Sequence, residues 1–362
     1  MSQKDKNYFY LYSVFLVLFL LITNEFYTYE ETLKINQYDG RSYFKISIFP
    51  FDFANNIPFH HAQRFYLPFI IGVLANIFEI DNFLLFRLIC LFTILIVILI
   101  HIRLINRLKI NFKDSIISTT LIFLNPYLFR YFISVPTMIN DLYFILALYV
   151  FLYAVLINHK FLLLSLIISL ISRQTGLFIL IGFLYFCYNK KYYQTLFIGL
   201  FISCFIFFLS NYYAQNSSIS GFNFDHLVGF FKSIFFEDEI NKILNWIFLP
   251  FYSFLPLIFY LFLKKFEKEK FLKIQPLIIF FIFLSTVGIS YLAGPELAGR
   301  NIIRQTSIVI PLLVFLILVY SKNRYNNMHL KIIDKILILL IFISSLHPIY
   351  SKIKLLEQLK II

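Results

Sequence analysis

The sequence predicts an all-α fold in which a bundle of helices crosses a membrane many times. Of the 362 residues 60% are hydrophobic, and the mean hydropathy of +0.79 is that of a membrane protein. Apolar runs recur along almost the whole chain, without the apolar/polar alternation of barrel strands. Because helices satisfy their own backbone hydrogen bonds in lipid, we interpret the runs as the helical spans of a polytopic membrane protein.

The apolar runs divide the chain into about eleven spans and one helix expected at the outer membrane surface. A first span at 7–27 is followed by a polar loop at 28–63 and by the surface helix at 64–79. The later spans are placed at 82–102, 115–131, 141–157, 161–172, 177–188, 194–211, 245–263, 275–292, 306–320 and 336–350. We assign them all to a single integral-membrane domain, 1–362.

Two consecutive runs, 161–172 and 177–188, are short for membrane spans. A helix of about 12 residues is about 18 Å long, whereas the apolar core of a bilayer is about 30 Å thick. Arg173 and Gln174 lie between the runs, and one continuous helix would place the arginine in mid-membrane. The sequence therefore favours two helices joined at this turn.

Charge asymmetry predicts the orientation of the bundle. If the N-terminus is cytoplasmic and 64–79 lies on the outer surface, the inner segments hold 18 of the 32 basic residues and five acids. The outer segments then hold 13 basic and 14 acidic residues. This distribution satisfies the positive-inside rule, so the net charge of +13 reflects topology rather than nucleic-acid binding. The expected location is a bacterial inner membrane.

Several unusual residues inside the spans have structural explanations. Cys90, Cys187 and Cys204 are expected to pack as small apolar side chains rather than form disulfides or bind metal. Arg87 lies one turn into its span and is expected to pair with Glu79 or another acid. The first span has no cleavage site after it and is interpreted as a retained signal anchor.

With this orientation, the residues that suggest chemistry gather on the outer side. They are Asp39, His60, His61, Arg64, Asp141, Arg173, Gln174, Glu296, Arg300 and Arg304. Arg300 and Arg304 are one helical turn apart, so two guanidinium groups would share a face and suit a phosphate or diphosphate. Each residue alone also has a structural interpretation: Asp39 fits a turn, Asp141 a helix N-cap, and Arg173 an ion pair within the bundle. Their convergence on one face favours a functional site.

The order of elements over 1–180 resembles the GT-C superfamily of integral-membrane glycosyltransferases. Both begin with a cytoplasmic N-terminus, one span, an outer loop with an early aspartate and a surface helix, and both carry a second outer acid. The likeness is carried by Tyr38, Asp39, Gly40, Arg64, Phe65, Tyr66, Leu67 and Pro68. The spans of 181–362, with outer loops at 212–244 and 293–305, are more variable.

The resemblance implies transfer of a sugar from a polyprenyl-phosphate donor to an envelope glycan, lipid or protein on the outer face. It implies that Asp39 is a general base or metal ligand and that Asp141 binds metal or orients the acceptor. Neither acid has an acidic neighbour, so a divalent metal ion and a metal-independent mechanism both stay open. Arg173, Arg300 and Arg304 are expected to bind the lipid phosphate, while grooves between spans hold the isoprenoid tail and membrane lipid.

Two other classes of function stay open. An envelope-polysaccharide polymerase or flippase-like protein shares the many spans and outer arginines, but its arginines are expected in large outer loops, and 212–244 contains none. A transporter would place ionisable residues or Gly/Pro breaks deep in paired spans. The predicted spans hold almost none.

Overall fold

The computed structural model describes residues 2–35, 39–52, 55–217, 231, 240–295, 301–323 and 329–345. These residues are almost entirely helical, and they include one short two-stranded antiparallel sheet. The helices of the first half are α1 (Gln3–Ile22), α2 (Tyr29–Ile35), α3 (Asp39–Ile48), α4 (Phe59–Ala62), α5 (Tyr66–Phe78), α6 (Asn82–Arg107), α7 (Phe112–Phe123), α8 (Phe129–Ser134), α9 (Ile139–Leu156) and α10 (Leu162–Ser172). The elements that follow are α11 (Gly176–Asn189), α12 (Tyr193–Tyr213), α13 (Ile240–Phe262), β1 (Lys264–Phe266), α14 (Lys268–Phe271), α15 (Ile274–Leu292), α16 (Asn301–Ser307), α17 (Ile310–Tyr320), β2 (Ser321–Asn323) and α18 (His329–Ser345).

Among the described residues, six helical segments are long and apolar enough to cross a membrane. They are Gln3–Ile22, Asn82–Arg107, Pro136–Leu156, Tyr193–Asn216, Ile274–Leu292 and Asn301–Tyr320. Shorter apolar helices are Tyr66–Phe78, His159–Ser172, Gly176–Asn189 and Trp246–Phe262. The prediction of an all-helical fold is therefore confirmed, and the apolar helices are consistent with a membrane protein, whereas eleven spans and a surface position for 64–79 stay predictions.

Two of these segments form the centre of the bundle. In Pro136–Leu156, 83% of the most apolar window is buried within the protein, and in Asn301–Tyr320 the share is 78%. The other four segments bury 22–33% and present large apolar side chains such as Phe92, Leu99 and Phe201 at the surface, as lipid-facing helices do. The polar groups that the central segments carry are thereby shielded from lipid.

The span predicted at 115–131 is not one helix. Helix α7 ends at Phe123, and Asn125 and Pro126 separate it from α8. Proline disfavours a helical conformation in the residue before it and has no N–H to donate, so the break follows from the sequence.

The predicted polar loop at 28–63 is largely helical, since it contains α2, α3 and α4. Asp39 is the first residue of α3 rather than part of an isolated turn. Helix α3 packs against α5 so closely that a Cβ atom on Gly72 would lie 2.2 Å from the Ser47 carbonyl oxygen. Only glycine allows this approach, which seats the segment containing Asp39 on the bundle.

The stretch 161–188 forms two helices, as predicted. Helix α10 ends at Ser172 because Arg173 has an extended backbone, with φ −149° and ψ 152°. The next helix begins at Gly176 and packs against α10; a Cβ atom on that glycine would lie 2.6 Å from the Ser169 carbonyl oxygen. This close packing fixes the turn that carries Arg173.

Two predictions about residues within the spans are wrong. Among the described residues, the Arg87 guanidinium contacts the Tyr27 carbonyl oxygen and the rings of Phe26 and Phe83 rather than an acid. Cys90 and Cys187 are free and buried as expected, but Cys204 is exposed on α12, because its helix presents that face outward.

Candidate functional site

Five ionisable side chains form a continuous chain at one end of the bundle. His61 Nε2 lies 2.7 Å from Asp39 Oδ1, and Arg304 Nη2 lies 2.9 Å from Asp39 Oδ2. Arg304 Nη1 is 3.1 Å from Asp141 Oδ2, and Arg173 Nη1 is 3.0 Å from Asp141 Oδ1. Basic and acidic groups therefore alternate along the chain, and Arg304 joins the two carboxylates. We call these five residues the outer chain, after the side of the membrane on which the sequence predicts them.

Each member of the outer chain comes from a different element. Asp39 begins α3, His61 lies in α4, Arg173 directly follows α10 and Arg304 lies in α16. Asp141 is in the first turn of α9, where a carboxylate interacts favourably with the helix dipole. It is not the N-cap, which is Met138, so the capping interpretation is wrong.

Arg64 lies beside the outer chain but has neutral partners. Its Nε donates to Gln174 Oε1, and its Nη1 donates to Tyr43 Oη at 3.1 Å. Its backbone carbonyl accepts a hydrogen bond of 3.0 Å from Asn140 Nδ2. Within the part of the chain that the structure describes, no carboxylate forms an ion pair with this guanidinium. Among the described residues, Arg64 is thus held by neutral partners, and the Asp39 and Asp141 carboxylates lie near it without forming an ion pair.

Gln174 ties the turn after α10 to the segment around α4. Besides accepting from Arg64, its Nε2 donates to the His60 carbonyl oxygen at 2.7 Å and to Gln63 Oε1 at 3.2 Å. The His60 side chain is exposed, and its ring lies 4.1 Å from that of His61. These hydrogen bonds fix the position of Arg64 relative to the turn that carries Arg173.

The described residues of the site carry an excess of positive charge. Three guanidinium groups, those of Arg64, Arg173 and Arg304, face the two carboxylates of Asp39 and Asp141. With a neutral His61, the formal charge of the group is +1. A buried net charge is costly unless a counter-ion neutralises it, so the arrangement favours an anionic ligand.

Several buried polar atoms of the site have no hydrogen-bond partner within the described ranges. They are Arg173 Nε, Arg304 Nε and Nη1, both carboxylate oxygens of Asp141, Asn140 Oδ1, Thr137 Oγ1 and Thr175 Oγ1. The contacts of Asp141 with its two arginines have ion-pair distances but not hydrogen-bond geometry. A buried polar group without a hydrogen bond costs about 1–3 kcal/mol, so these atoms retain capacity for a polar ligand.

Asp39 is ionised and is the more accessible of the two acids. Burial by itself would raise the pKa of Asp39, but the His61 hydrogen bond and the nearby charges, Arg304 first, hold that pKa well below its usual range. The Asp39 side chain is 17% exposed, against 1% for Asp141. The Asp39 carboxylate is therefore accessible from the protein surface, while the Asp141 carboxylate is buried.

The structure brings together most of the residues that the sequence singles out. They are Asp39, His61, Arg64, Asp141, Arg173, Gln174 and Arg304. Glu296 and Arg300 lie outside the described residues. Ser42, Tyr43 and Tyr131 were missed: Ser42 bonds to His61, Tyr43 bonds to Arg64, and the Tyr131 ring lies 5.7 Å from the Arg304 guanidinium carbon. Helical spacing from Asp39 would have indicated Ser42 if 28–63 had not been treated as a loop.

The side chains of the site do not suit a divalent metal ion. Arginine groups already neutralise both Asp39 and Asp141, and guanidinium groups so close would repel a metal cation. No group of three or more His, Cys, Asp or Glu side chains able to hold a metal occurs in the described part of the chain. We therefore assign no chemical step to a metal.

Comparison of the chain with protein-family models, curated proteins and solved structures gives no match.

Proposed function

We propose that the protein is a membrane glycosyltransferase that moves a sugar from a polyprenyl-phosphate donor to an acceptor hydroxyl in the cell envelope, on the outer face of the membrane. The proposal is supported by one observation above all. Arg64 is a fixed cation without a carboxylate partner among the described residues, and it lies beside an ionised carboxylate within an apolar bundle.

An anionic lipid suits both the charge and the setting of this site. A guanidinium group donates to phosphate oxygens in a planar, paired geometry, and Arg64 is positioned for this by Gln174 and Tyr43. A polyprenyl phosphate would neutralise the excess positive charge. Its isoprenoid tail would lie along the exposed apolar helix surfaces that surround the central segments.

In the proposed reaction, Asp39 accepts the proton of the acceptor hydroxyl. The acceptor oxygen forms a bond to the anomeric carbon of the sugar, and the bond from that carbon to the phosphate oxygen breaks. The lipid phosphate leaves with the electron pair, and Arg64 stabilises the charge that develops on it. Once phosphate shares the positive charge of the site, the arginines stabilise the Asp39 carboxylate less, so the carboxylate becomes a stronger base.

The proposal is tested by deleting the gene, restoring it as wild type, Asp39→Asn or Arg64→Gln, and profiling polyprenyl-phosphate sugars and envelope glycans by mass spectrometry. Deletion is expected to make one lipid-linked sugar accumulate and one glycan lose a residue. Neither variant is expected to restore the product, because one lacks the base and the other the phosphate-binding cation.

Matched controls are Asp52→Asn and Arg41→Gln, which change exposed residues of the same segment and should rescue fully. All variants must be present in the membrane at the wild-type level. Unchanged lipids and glycans after deletion, or full rescue by Asp39→Asn, would contradict the proposed function.

A further inference from the structure

Each ring nitrogen of His61 has a hydrogen-bond partner, and both partners lie on α3. Nε2 contacts Asp39 Oδ1 at 2.7 Å, and Nδ1 contacts Ser42 Oγ at 2.9 Å. Asp39 and Ser42 are three residues apart in one helix, so their side chains share a face that the imidazole covers. His61 and Ser42 are both buried.

Hydrogen-bond chemistry fixes the direction of this arrangement. An ionised carboxylate can only accept, so Nε2 must donate to Asp39. In a neutral imidazole the other nitrogen is then an acceptor, and the Ser42 hydroxyl must donate to Nδ1. With a neutral His61, the hydrogen bonds therefore run from the Ser42 hydroxyl through the imidazole to the Asp39 carboxylate.

This direction has a consequence for the Asp39 carboxylate. Because His61 occupies Oδ1, the carboxylate plane is set and Oδ2 faces Arg304 at 2.9 Å. A ring that lost the Ser42 bond could rotate about its side-chain torsions and present the wrong nitrogen to Asp39. The same logic governs histidines whose second nitrogen is held by an outer hydrogen-bond partner.

We infer that Ser42 and His61 are positioning residues, which aim the Asp39 carboxylate by fixing the imidazole as its Nε2–H tautomer and in one orientation. The inference rests on the proposed function only in treating Asp39 as the reactive group. Ser42 acts through His61 and does not itself contact the reacting atoms.

The first test is spectroscopic and needs no substrate. The purified full chain, labelled with ¹⁵N-histidine, is placed in detergent micelles, and His61→Gln identifies the His61 signals. Wild type is expected to show one slowly exchanging Nε2–H proton and an unprotonated Nδ1. Ser42→Ala is expected to speed the exchange of that proton at least tenfold, Ser42→Thr to restore it, and Ser47→Ala to leave it unchanged. Ser47 is a matched control because it is buried on the same helix and its hydroxyl bonds within that helix.

The second test uses the lipid and glycan profile described above. Ser42→Ala is expected to lower product at least tenfold, with Ser42→Thr restoring most of it. His61→Gln, which keeps a side-chain N–H, is expected to retain more product than His61→Ala. An unchanged Nε2–H exchange rate in Ser42→Ala, or full product from that variant, would overturn the inference even if Asp39→Asn is inactive. If Asp39→Asn is fully active, the proposed function fails, whatever the exchange rates show.

Discussion

Two charge clusters in the described part of the chain differ in how completely their polar groups are hydrogen-bonded. One is the outer chain, and we call the other the inner cluster, after the cytoplasmic side on which the sequence predicts it: Asp114, Lys264, Tyr260 and Asn111. There Asp114 Oδ1 accepts from Lys264 Nζ at 2.7 Å and from Tyr260 Oη at 2.8 Å, and Oδ2 accepts from Asn111 Nδ2 at 2.7 Å. One cation meets one carboxylate, and both carboxylate oxygens are hydrogen-bonded.

The outer chain has a different balance. With Arg64 beside it, its cations outnumber its carboxylates, and both oxygens of Asp141 accept no hydrogen bond from the described residues. The two clusters lie near opposite ends of the central segment Asn301–Tyr320. Arg304 of the outer chain is near its start. Its last residue is followed by strand β2, which pairs with β1, and β1 begins with Lys264 of the inner cluster. The inner cluster therefore joins helices together, whereas the outer chain also holds polar groups that have no hydrogen-bond partner among the described residues.

The largest expected effect is that of Arg304→Gln. This change leaves the buried Asp141 and the partly exposed Asp39 without the cation that joins them, and breaking a buried ion pair costs about 3–5 kcal/mol. We expect a strong loss of thermal stability in detergent micelles together with loss of product in cells. Arg41→Gln, an exposed arginine on α3, is the control and should stay within about 0.5 kcal/mol of wild type. Wild-type stability in Arg304→Gln would mean that the outer chain does not hold the bundle together.

Asp114→Asn should separate stability from function. It removes the counter-charge of the buried Lys264, so we expect a loss of about 3 kcal/mol in the free energy of unfolding. Product per folded molecule should be unchanged, because the inner cluster has no part in the proposed reaction. The double change Asp114→Asn with Lys264→Met should recover most of the stability, since a buried pair can often be replaced by apolar groups. Loss of product at normal protein levels would contradict the division of roles.

Gly72→Ala tests whether the position of α3 matters to the outer chain, because it shifts α3 without changing a charge. The added methyl would collide with the backbone carbonyl of Ser47, and overpacking of this kind costs about 1–3 kcal/mol. We expect lower thermal stability and less product, because the segment that carries Asp39 shifts. Gly288→Ala is the matched control, since a Cβ atom there meets no atom within 4 Å. Equal behaviour of the two variants would show that the α3–α5 contact does not position the site.

The smallest expected effect concerns pH. The pKa of Asp39 is lower in the folded protein than its usual value of about 4 in an unfolded chain, so its stabilising contribution is present above about pH 4 and is lost only as pH falls further. In the His61→Gln background, the difference in melting temperature caused by Asp39→Asn should therefore be constant from pH 8 to pH 5. A difference that shrinks within this range would indicate that Asp39 is protonated there and is not held by Arg304.

Local chemistry was enough to predict the class of fold and most members of the site. Long apolar runs form helices in lipid wherever they occur, and ionisable residues within or between closely spaced apolar runs are rare enough to stand out. The helix break at 124–126 was readable from Pro126 but was missed. The helices within 28–63 were harder to predict, because their short, polar sequences form helices only when packed against the bundle.

Only the tertiary structure decided how the charges pair. Arg304 and Asp39 are 265 positions apart, and no local pattern tells whether a given arginine faces a carboxylate or a neutral amide. The sequence favoured Arg173, Arg300 and Arg304 as phosphate ligands, but Arg173 and Arg304 are bound to acids, and Arg64 is the cation with neutral partners. Composition and hydropathy determined that this chain is a helical membrane protein with polar residues at one end, because those properties are local. Packing determined which arginine faces a carboxylate and which faces neutral groups, because these contacts depend on distances between segments that are remote in sequence.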